Sequence, residues 1–281
     1  MFTEIAPNVF AVAHRLVDGK NAIVFSDRAA LAIDACNYPD EGEAMAAFIR
    51  SLGAVPNRLA ITHGHGDHVL GSGAFRGADV YAHLAAPRTI DAYVPIWAER
   101  YFGGSIADCE AALTRPNILF DRELRIDLGR KTVRLFATPG HCPDAVCAYV
   151  EEDGMLCAGD TVVTGIVPAI NDGDSRQLEA TLRTLLQLDA RVLVPGQGPV
   201  LESPIAVREH LVWTIDYLVR VREFVSESLR GGTSAERTIE AAGYASFVGD
   251  RLPEEPFGMV RRHRMVVARI VAEEEEAAVH P

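Results

Sequence analysis

The heptapeptide Thr62-His63-Gly64-His65-Gly66-Asp67-His68 decides how the rest of the chain is read. It places three imidazoles and a carboxylate in one short run, in a chain of 281 residues that holds nine histidines. Neutral imidazole and carboxylate are the groups that bind zinc or iron at neutral pH. Leu59–Thr62 just before it reads as a buried strand, so the run hangs from a rigid strand end. Gly64 and Gly66 let the loop fold tightly, so that side chains close in sequence can point at one centre. A polar turn of solvated histidines is the plain alternative, and it requires no such spacing.

Two more candidate ligands occupy similar contexts. His141 follows the predicted strand Val133–Ala137 in Thr138-Pro139-Gly140-His141, and Asp160 follows Met155–Ala158 in Ala158-Gly159-Asp160. Taken singly, each reads as a solvated or capping turn residue. Their recurrence at successive strand ends, where a sheet positions side chains rigidly, is the informative feature.

The remaining sequence alternates strand and helix signals. Val9–Ala13, Ala22–Phe25 and Ala30–Ile33 read as strands between turns. A helix is predicted from a capping-box-like Asp40-x-x-Glu43 to Gly53, with Met45, Phe48, Ile49 and Leu52 on one face. Val80–Ala82, Leu124–Ile126, Val146–Val150 and Val192–Val194 are further strands, and a second helix opens at Asp174. Residues 84–117 give mixed signals, with helical pieces and the aromatics Tyr93, Trp97, Tyr101 and Phe102. From Ser203-Pro204 only helices follow: a long one with an apolar stripe from Val207 to Val225, then one capped by Thr233-x-x-Glu236. The tail from Pro256 ends in Glu273–Glu276, read as a solvated run. The expected organisation is a layered α/β body over residues 1–202 with a helical extension over 203–281, packed on the same domain.

Composition narrows the function. Asp and Glu outnumber Lys and Arg 39 to 27, a net charge of −12, which argues against nucleic acid or an anionic membrane as partner. No apolar run reaches the ~18 residues of a membrane span, and the start shows no export signal. Cys36, Cys109, Cys142, Cys147 and Cys157 are odd in number and unpaired in pattern, which reads as reduced thiols in a cytoplasmic protein. No Gly-x-Ser-x-Gly elbow is present, and Cys142 beside His141 reads as packed rather than nucleophilic.

The order HGHGDH, then PGH, then GD, then a PG-x-G turn after a late strand resembles the metallo-β-lactamase superfamily, and most of all its glyoxalase II-type hydrolase branch. The resemblance covers about residues 5–201 and implies an αβ/βα sandwich with a metal site between the edges of two sheets. It implies that His63, His65 and His141 hold a first metal, that Asp67 and His68 help hold a second, and that Asp160 bridges the two. Asp34, at the end of Ala32-Ile33-Asp34, is read either as a partner that orients a ligand histidine or as a strand-end cap. The chain departs from the pattern at one position. Where the family has His in the last turn, this sequence has Pro195-Gly196-Gln197-Gly198. Gln197 offers a carbonyl oxygen, a weaker and harder ligand than imidazole. Two zinc ions per chain is the leading expectation. A single metal, or iron or manganese, is the alternative that Gln197 keeps open. His210 falls inside a helix and reads as part of its surface.

A divalent metal lowers the pKa of its water toward ~7 and polarises a carbonyl oxygen. The expected function is therefore hydrolysis of a small ester, lactone or thioester by metal-bound hydroxide, with Asp67 orienting the nucleophile and moving a proton. Three relatives in the resembled family fit less well. β-Lactamases lack the bridging aspartate and are exported, nucleases suit neither the charge nor the absence of a basic arm, and flavodiiron proteins carry Glu where His65 stands. Two readings stay open: a mononuclear iron persulfide dioxygenase using His63, His141 and Asp160, and a metal-holding binding or regulatory protein with a disabled second site. The 84–120 aromatics and the apolar run Val163, Ile166, Val167, Pro168 and Ile170 are candidate substrate walls. The helices after Ser203 either cover the site or make a homodimer surface.

Overall fold

The computed structural model describes residues 2–252 and 258–279. Pro256, the expected start of the tail, lies outside the described residues. The first half of the chain runs β1 (Phe2–Ala6), β2 (Val9–Ala13), β3 (Lys20–Ser26), β4 (Ala29–Ile33), α1 (Pro39–Ser51), β5 (Arg58–Ala60), α2 (Gly66–Val69), β6 (Asp79–His83), α3 (Ala86–Tyr101), α4 (Ile106–Ala112) and β7 (Ile118–Phe120). The second half runs β8 (Glu123–Asp127), β9 (Thr132–Ala137), β10 (Val146–Val150), β11 (Met155–Cys157), α5 (Ser175–Leu185), β12 (Val192–Val194), α6 (Pro204–Arg230), α7 (Ala235–Ala241), α8 (Tyr244–Val248) and α9 (Met259–Val279). Strands β1 to β7 form one sheet in chain order, antiparallel up to β4 and parallel beyond it. Strands β12-β11-β10-β9-β8 form the other, with β11 and β12 parallel.

Strand periodicity dictates the layers. Successive side chains point to opposite faces, and here both faces are apolar, as in sheets covered on each side. Along β4, Leu31 and Ile33 turn into the space between the sheets while Ala30 and Ala32 turn toward the helices. Along β10, Val146, Ala148 and Val150 face the other sheet and Cys147 faces away. The inter-sheet core is therefore flanked by one helix-backed core holding Met45, Ile49, Ile90 and Trp97, and another holding Leu178, Leu182, Leu218 and Ile270. The order helix, sheet, sheet, helix is the αβ/βα sandwich. The third core runs without a break from Leu156 and Leu193 of the sheet to Val221 of α6 and Val267 of α9.

Local signals differ from the sequence reading at four places. α1 starts after Tyr38 with Pro39 at its first position, where its fixed φ suits a helix start, so Asp40 lies inside the first turn, paired with Arg15, and does not cap. α7 is capped by Ser234, whose side chain accepts from the Arg237 N–H, in place of Thr233. Glu273 is buried, and its carboxylate accepts from Ser175 N (2.9 Å) and Oγ (2.5 Å) at the start of α5. It thus caps another helix across the molecule, which its position in an acidic run conceals. His210 is buried as well, with Nε2 2.8 Å from the Val163 carbonyl.

Burial holds the His210 pKa down at about 4, against 6.5 in a free imidazole. The unfolded chain then binds the extra proton between those values. The stability His210 contributes is complete above about pH 6.5 and is lost as pH falls toward 4. His210→Gln retains a donor for Val163 and is expected to flatten this part of the acid limb in thermal melts recorded from pH 7 to pH 4. An unchanged slope would remove His210 as its source.

Candidate metal centre

The site forms where strand ends of both sheets meet. His63, His65, Asp67 and His68 follow β5, His141 follows β9, Asp160 follows β11 and Gln197 follows β12. Asp34 follows β4 with φ 62°, a left-handed conformation that Asp tolerates better than most residues. Gly64 and Gly66 act through close approach. A Cβ at Gly64 would lie 2.9 Å from Thr89 Cβ, and one at Gly66 2.9 Å from Trp97 Nε1. Asp144 ties the loop down by accepting from Gly64 N (2.8 Å) and Thr89 Oγ1 (2.9 Å).

Three imidazole nitrogens converge. His65 Nδ1 lies 3.1 Å from His63 Nε2 and 3.1 Å from His141 Nε2. The far nitrogen of each ring faces an oxygen: His63 Nδ1 is 3.1 Å from Thr62 Oγ1, His65 Nε2 3.0 Å from Asp172 Oδ2, and His141 Nδ1 2.7 Å from the Ala169 carbonyl. Donation to those oxygens leaves lone pairs on the inward nitrogens. Burial, reinforced by neighbouring histidines, also lowers the pKa of His63, and burial lowers that of His141, so both stay neutral. Inward lone pairs this close repel one another unless a cation lies among them. Nitrogens about 2.0–2.1 Å from a tetrahedral zinc stand about 3.3 Å apart, close to the observed spacing.

A second convergence shares His63. His68 Nδ1 is 2.8 Å from Asp34 Oδ2, which leaves Nε2 facing Asp160 Oδ1 at 3.5 Å and Asp67 Oδ2 at 3.6 Å. Among the described residues, His68 Nε2 and Asp160 Oδ1 are buried without a hydrogen-bond partner. Burial alone would depress the His68 pKa, but the charges of Asp67 and Asp34, the hydrogen bond to Asp34 and the Asp160 carboxylate facing Nε2 raise it. Asp160 moves the opposite way, since His68 outweighs its burial. A position that draws a proton this strongly suits a divalent cation. His63, His65 and His141 form one group able to hold a metal, and His63, His68 and Asp160 form another.

The geometry brings every proposed ligand to one place, with differences in detail. Gln197 presents its amide nitrogen, 3.0 Å from Asp160 Oδ2 and 3.2 Å from Asp67 Oδ2. Asp34 accepts from Thr62 N (2.7 Å) and Oγ1 (2.8 Å) and lies 2.8 Å from His68 Nδ1. Cys36, Cys142 and Cys157 are buried, and burial raises their thiol pKa values, so none of them is poised as a nucleophile. Tyr93, Trp97 and Tyr101 line a pocket of about 280 Å³ beside the centre, whereas Phe102 packs against the core. Of the second wall, Val163, Ile166, Val167 and Ile170 are core, while Ala169, Asn171 and Asp172 face the pocket. Asp144, Asp172 and the Ala169 carbonyl escape the sequence reading. They sit on irregular turns with no periodic signal, far in sequence from the groups they hold.

The family model of the metallo-beta-lactamase superfamily matches residues 24–197. A hydroxyacylglutathione hydrolase of Acidiphilium cryptum is 30% identical over 160 residues, 56% of this chain and 57% of its own. That of Francisella tularensis subsp. novicida is 27% identical over 160 residues, 55% and 54% of the two chains. The chain thus spans about half the length of these curated relatives. An atrochrysone carboxyl ACP thioesterase of Aspergillus fumigatus is 29% identical over 115 residues, 41% of this chain and 35% of its own. Among solved structures, a metallo-beta-lactamase family protein from Thermus thermophilus superposes with TM-score 0.67 at 19% identity, over 98% of this chain and 96% of its own. A metallo-beta-lactamase from Pontibacter korlensis gives 0.60 at 19%, over 78% and 98%. With the family model spanning both sheets and the motif residues gathered at one centre, the chain belongs to the metallo-beta-lactamase superfamily.

Proposed function

We propose that the chain is a metal-dependent hydrolase of a small ester, lactone or thioester. The observation that carries the reading is the pair of neighbouring convergences, one of three imidazole nitrogens and one of His63, His68 and Asp160. The names of the relatives, hydroxyacylglutathione hydrolase and ACP thioesterase, favour a thioester within that class. A divalent ion held there supplies Lewis acidity and a lowered water pKa. The chain's own groups do the rest. Asp34, Asp172 and the Ala169 carbonyl fix the faces of His68, His65 and His141. Asp67 lines both the centre and the pocket, where it orients the attacking water and carries a proton to the leaving group. Tyr93 and Trp97, stacked with ring centroids 5.9 Å apart, offer an apolar wall to the acyl group.

Elemental analysis of protein purified without added metal, with Gln197→His beside it, tests the reading. Two zinc or manganese ions per chain, together with chelator-sensitive hydrolysis of acyl thioesters or lactones, are expected. One ion per chain, rising to two in Gln197→His, would mean that Gln197 weakens the second position. A single iron with oxygen consumption on a persulfide would replace the hydrolase with a dioxygenase. Metal bound without turnover of any of these substrates would make the chain a binding protein.

A further inference from the structure

Two buried polar side chains have no part in the chemistry above. His14 is 5% exposed, and among the described residues neither of its ring nitrogens has a hydrogen-bond partner. A neutral imidazole carries one N–H and one lone pair, so both its donor and its acceptor go unanswered. Glu41 is buried too, and its Oε1 accepts from Arg15 N (2.9 Å) and Nε (3.0 Å), while its Oε2 has no partner among the described residues. A buried polar group left unpaired is costly, and a ligand that takes it up removes the cost. His68 Nε2 and Asp160 Oδ1 are left bare in the same way, at the position that suits a divalent cation.

The backbone puts the His14 ring beside that position. Gly19 and Gln197 pair across an isolated antiparallel bridge. Gly198 N donates to the Asp18 carbonyl (2.9 Å) on one side of the pair, and Lys20 N to the Gly196 carbonyl (2.8 Å) on the other. Such bracketing marks the close, non-hydrogen-bonded kind of pair, with Cα atoms about 4.5 Å apart and side chains on one face. Gly19 has no side chain, and the His14 ring lies where one would be: a Cβ at Gly19 would stand 1.8 Å from His14 Nε2. The imidazole therefore neighbours the side chain of Gln197. That side chain turns its amide nitrogen, a donor with no lone pair for a metal, to Asp160 and Asp67. Electrostatics give the same placement. Burial lowers the His14 pKa, and the charges that act on the ring are those of His68, Asp67, Glu41 and Asp160.

We infer that His14 is a ligand of the second metal position, beside His68 and Asp160, with Glu41 Oε2 accepting from its far nitrogen. His63, His65, His68 and His141 are arranged alike, each with one nitrogen inward and the other facing an oxygen. One ion then answers both nitrogens of His14, the bare Glu41 oxygen, His68 Nε2 and Asp160 Oδ1 together. The inference rests on the metal centre of the proposed hydrolase and not on turnover.

Metal counting tests the ligand. The full chain, saturated with zinc and dialysed, is expected to hold two ions. His14→Phe, which fills the space without offering a nitrogen, is expected to hold one. Competition against a chelator is expected to show the second ion held at least tenfold more weakly in the variant and the first unchanged. His14→Phe/Gln197→His returns an imidazole to the same face and is expected to regain the second ion. A pair that stays at one ion would make the loss a packing effect and overturn the ligand. NMR of the unaltered chain, loaded with spin-active cadmium and labelled at its histidine nitrogens, decides the matter even where a variant fails to fold. His63, His65 and His141 are expected to couple to one cadmium, and His68 and His14 to the other. A second cadmium coupled to a single histidine overturns the inference. So does an unaltered chain that takes up fewer than two ions, or a second ion held as tightly in His14→Phe as in the parent. Two ions bound through His14, with no ester or thioester cleaved, would remove the hydrolase and keep the ligand. Chelator-sensitive hydrolysis with metal content unaltered in His14→Phe would do the reverse.

Discussion

Asp67→Ala is expected to lower kcat/KM for a thioester or ester by about 10²–10⁴-fold, the usual worth of a positioned proton-transfer group. Three carboxylates crowd the second convergence, and they differ in what they can reach. Asp34 is wholly enclosed and fully used by Thr62 and His68. Asp160 is buried between His68, His141 and Gln197. The Asp67 side chain is 14% exposed, and it lines the pocket while its Oδ2 stays 3.6 Å from His68 Nε2. Asp160 lines the pocket too, but its side chain is only 6% exposed, so Asp67 is the more accessible of the two for moving a proton. Its removal leaves no enclosed backbone donor unmatched, so the melting temperature is expected to stay within a few degrees of the parent. Activity within tenfold of the parent, at unchanged metal content, would take the proton-handling role away from Asp67.

The contrast between what is and is not legible in the sequence has a physical basis. The ligand loop is legible because three imidazoles at fixed spacing past an apolar strand are a local pattern. His141 and Asp160 are legible because each follows a short apolar run that reads as a strand. Asp172 and Asp144 are 107 and 80 residues from the His65 and Gly64 they hold, and no periodicity links such pairs. Two strands escape the sequence reading for ordinary reasons. β1 is a half-exposed edge whose Thr3 and Glu4 break the apolar pattern, and β7 is three residues long. The helix α6 lies where its cap and stop signals put it, between Ser203 and Gly231. The burial of His210 on it is hidden, because the cover comes from Val163, 47 residues away.

Asp34 offers the other large effect, and its two substitutions separate stability from metal binding. In Asp34→Ala, the Thr62 N–H, the Thr62 hydroxyl and His68 Nδ1 all lose a buried acceptor at 2.7–2.8 Å. At about 1–3 kcal/mol for each buried group left unsatisfied, the cost is about 3 kcal/mol or more. The alanine must also hold φ 62°, which a Cβ without a polar group resists. A fall in melting temperature of roughly 10 °C or more is expected. Asp34→Asn keeps the shape and tolerates the left-handed backbone, and its carbonyl oxygen still accepts from Thr62 N. Its amide, however, turns N–H donors on the partners that Oδ2 now serves. His68 then favours the tautomer with Nδ1 bare and the proton on Nε2, the nitrogen that faces Asp67 and Asp160. A proton there excludes a metal ligand bond. The asparagine variant is therefore expected to melt much closer to the parent than the alanine variant does. It is nonetheless expected to lose about 10–100-fold in metal affinity, the scale set by partners that orient a ligand histidine. Competition titration against a chelator on the folded variant reads that loss directly. Unaltered metal affinity in Asp34→Asn would reduce Asp34 to a strand-end tie and leave the orientation of His68 to Thr62, whose hydroxyl lies 3.5 Å from the same nitrogen.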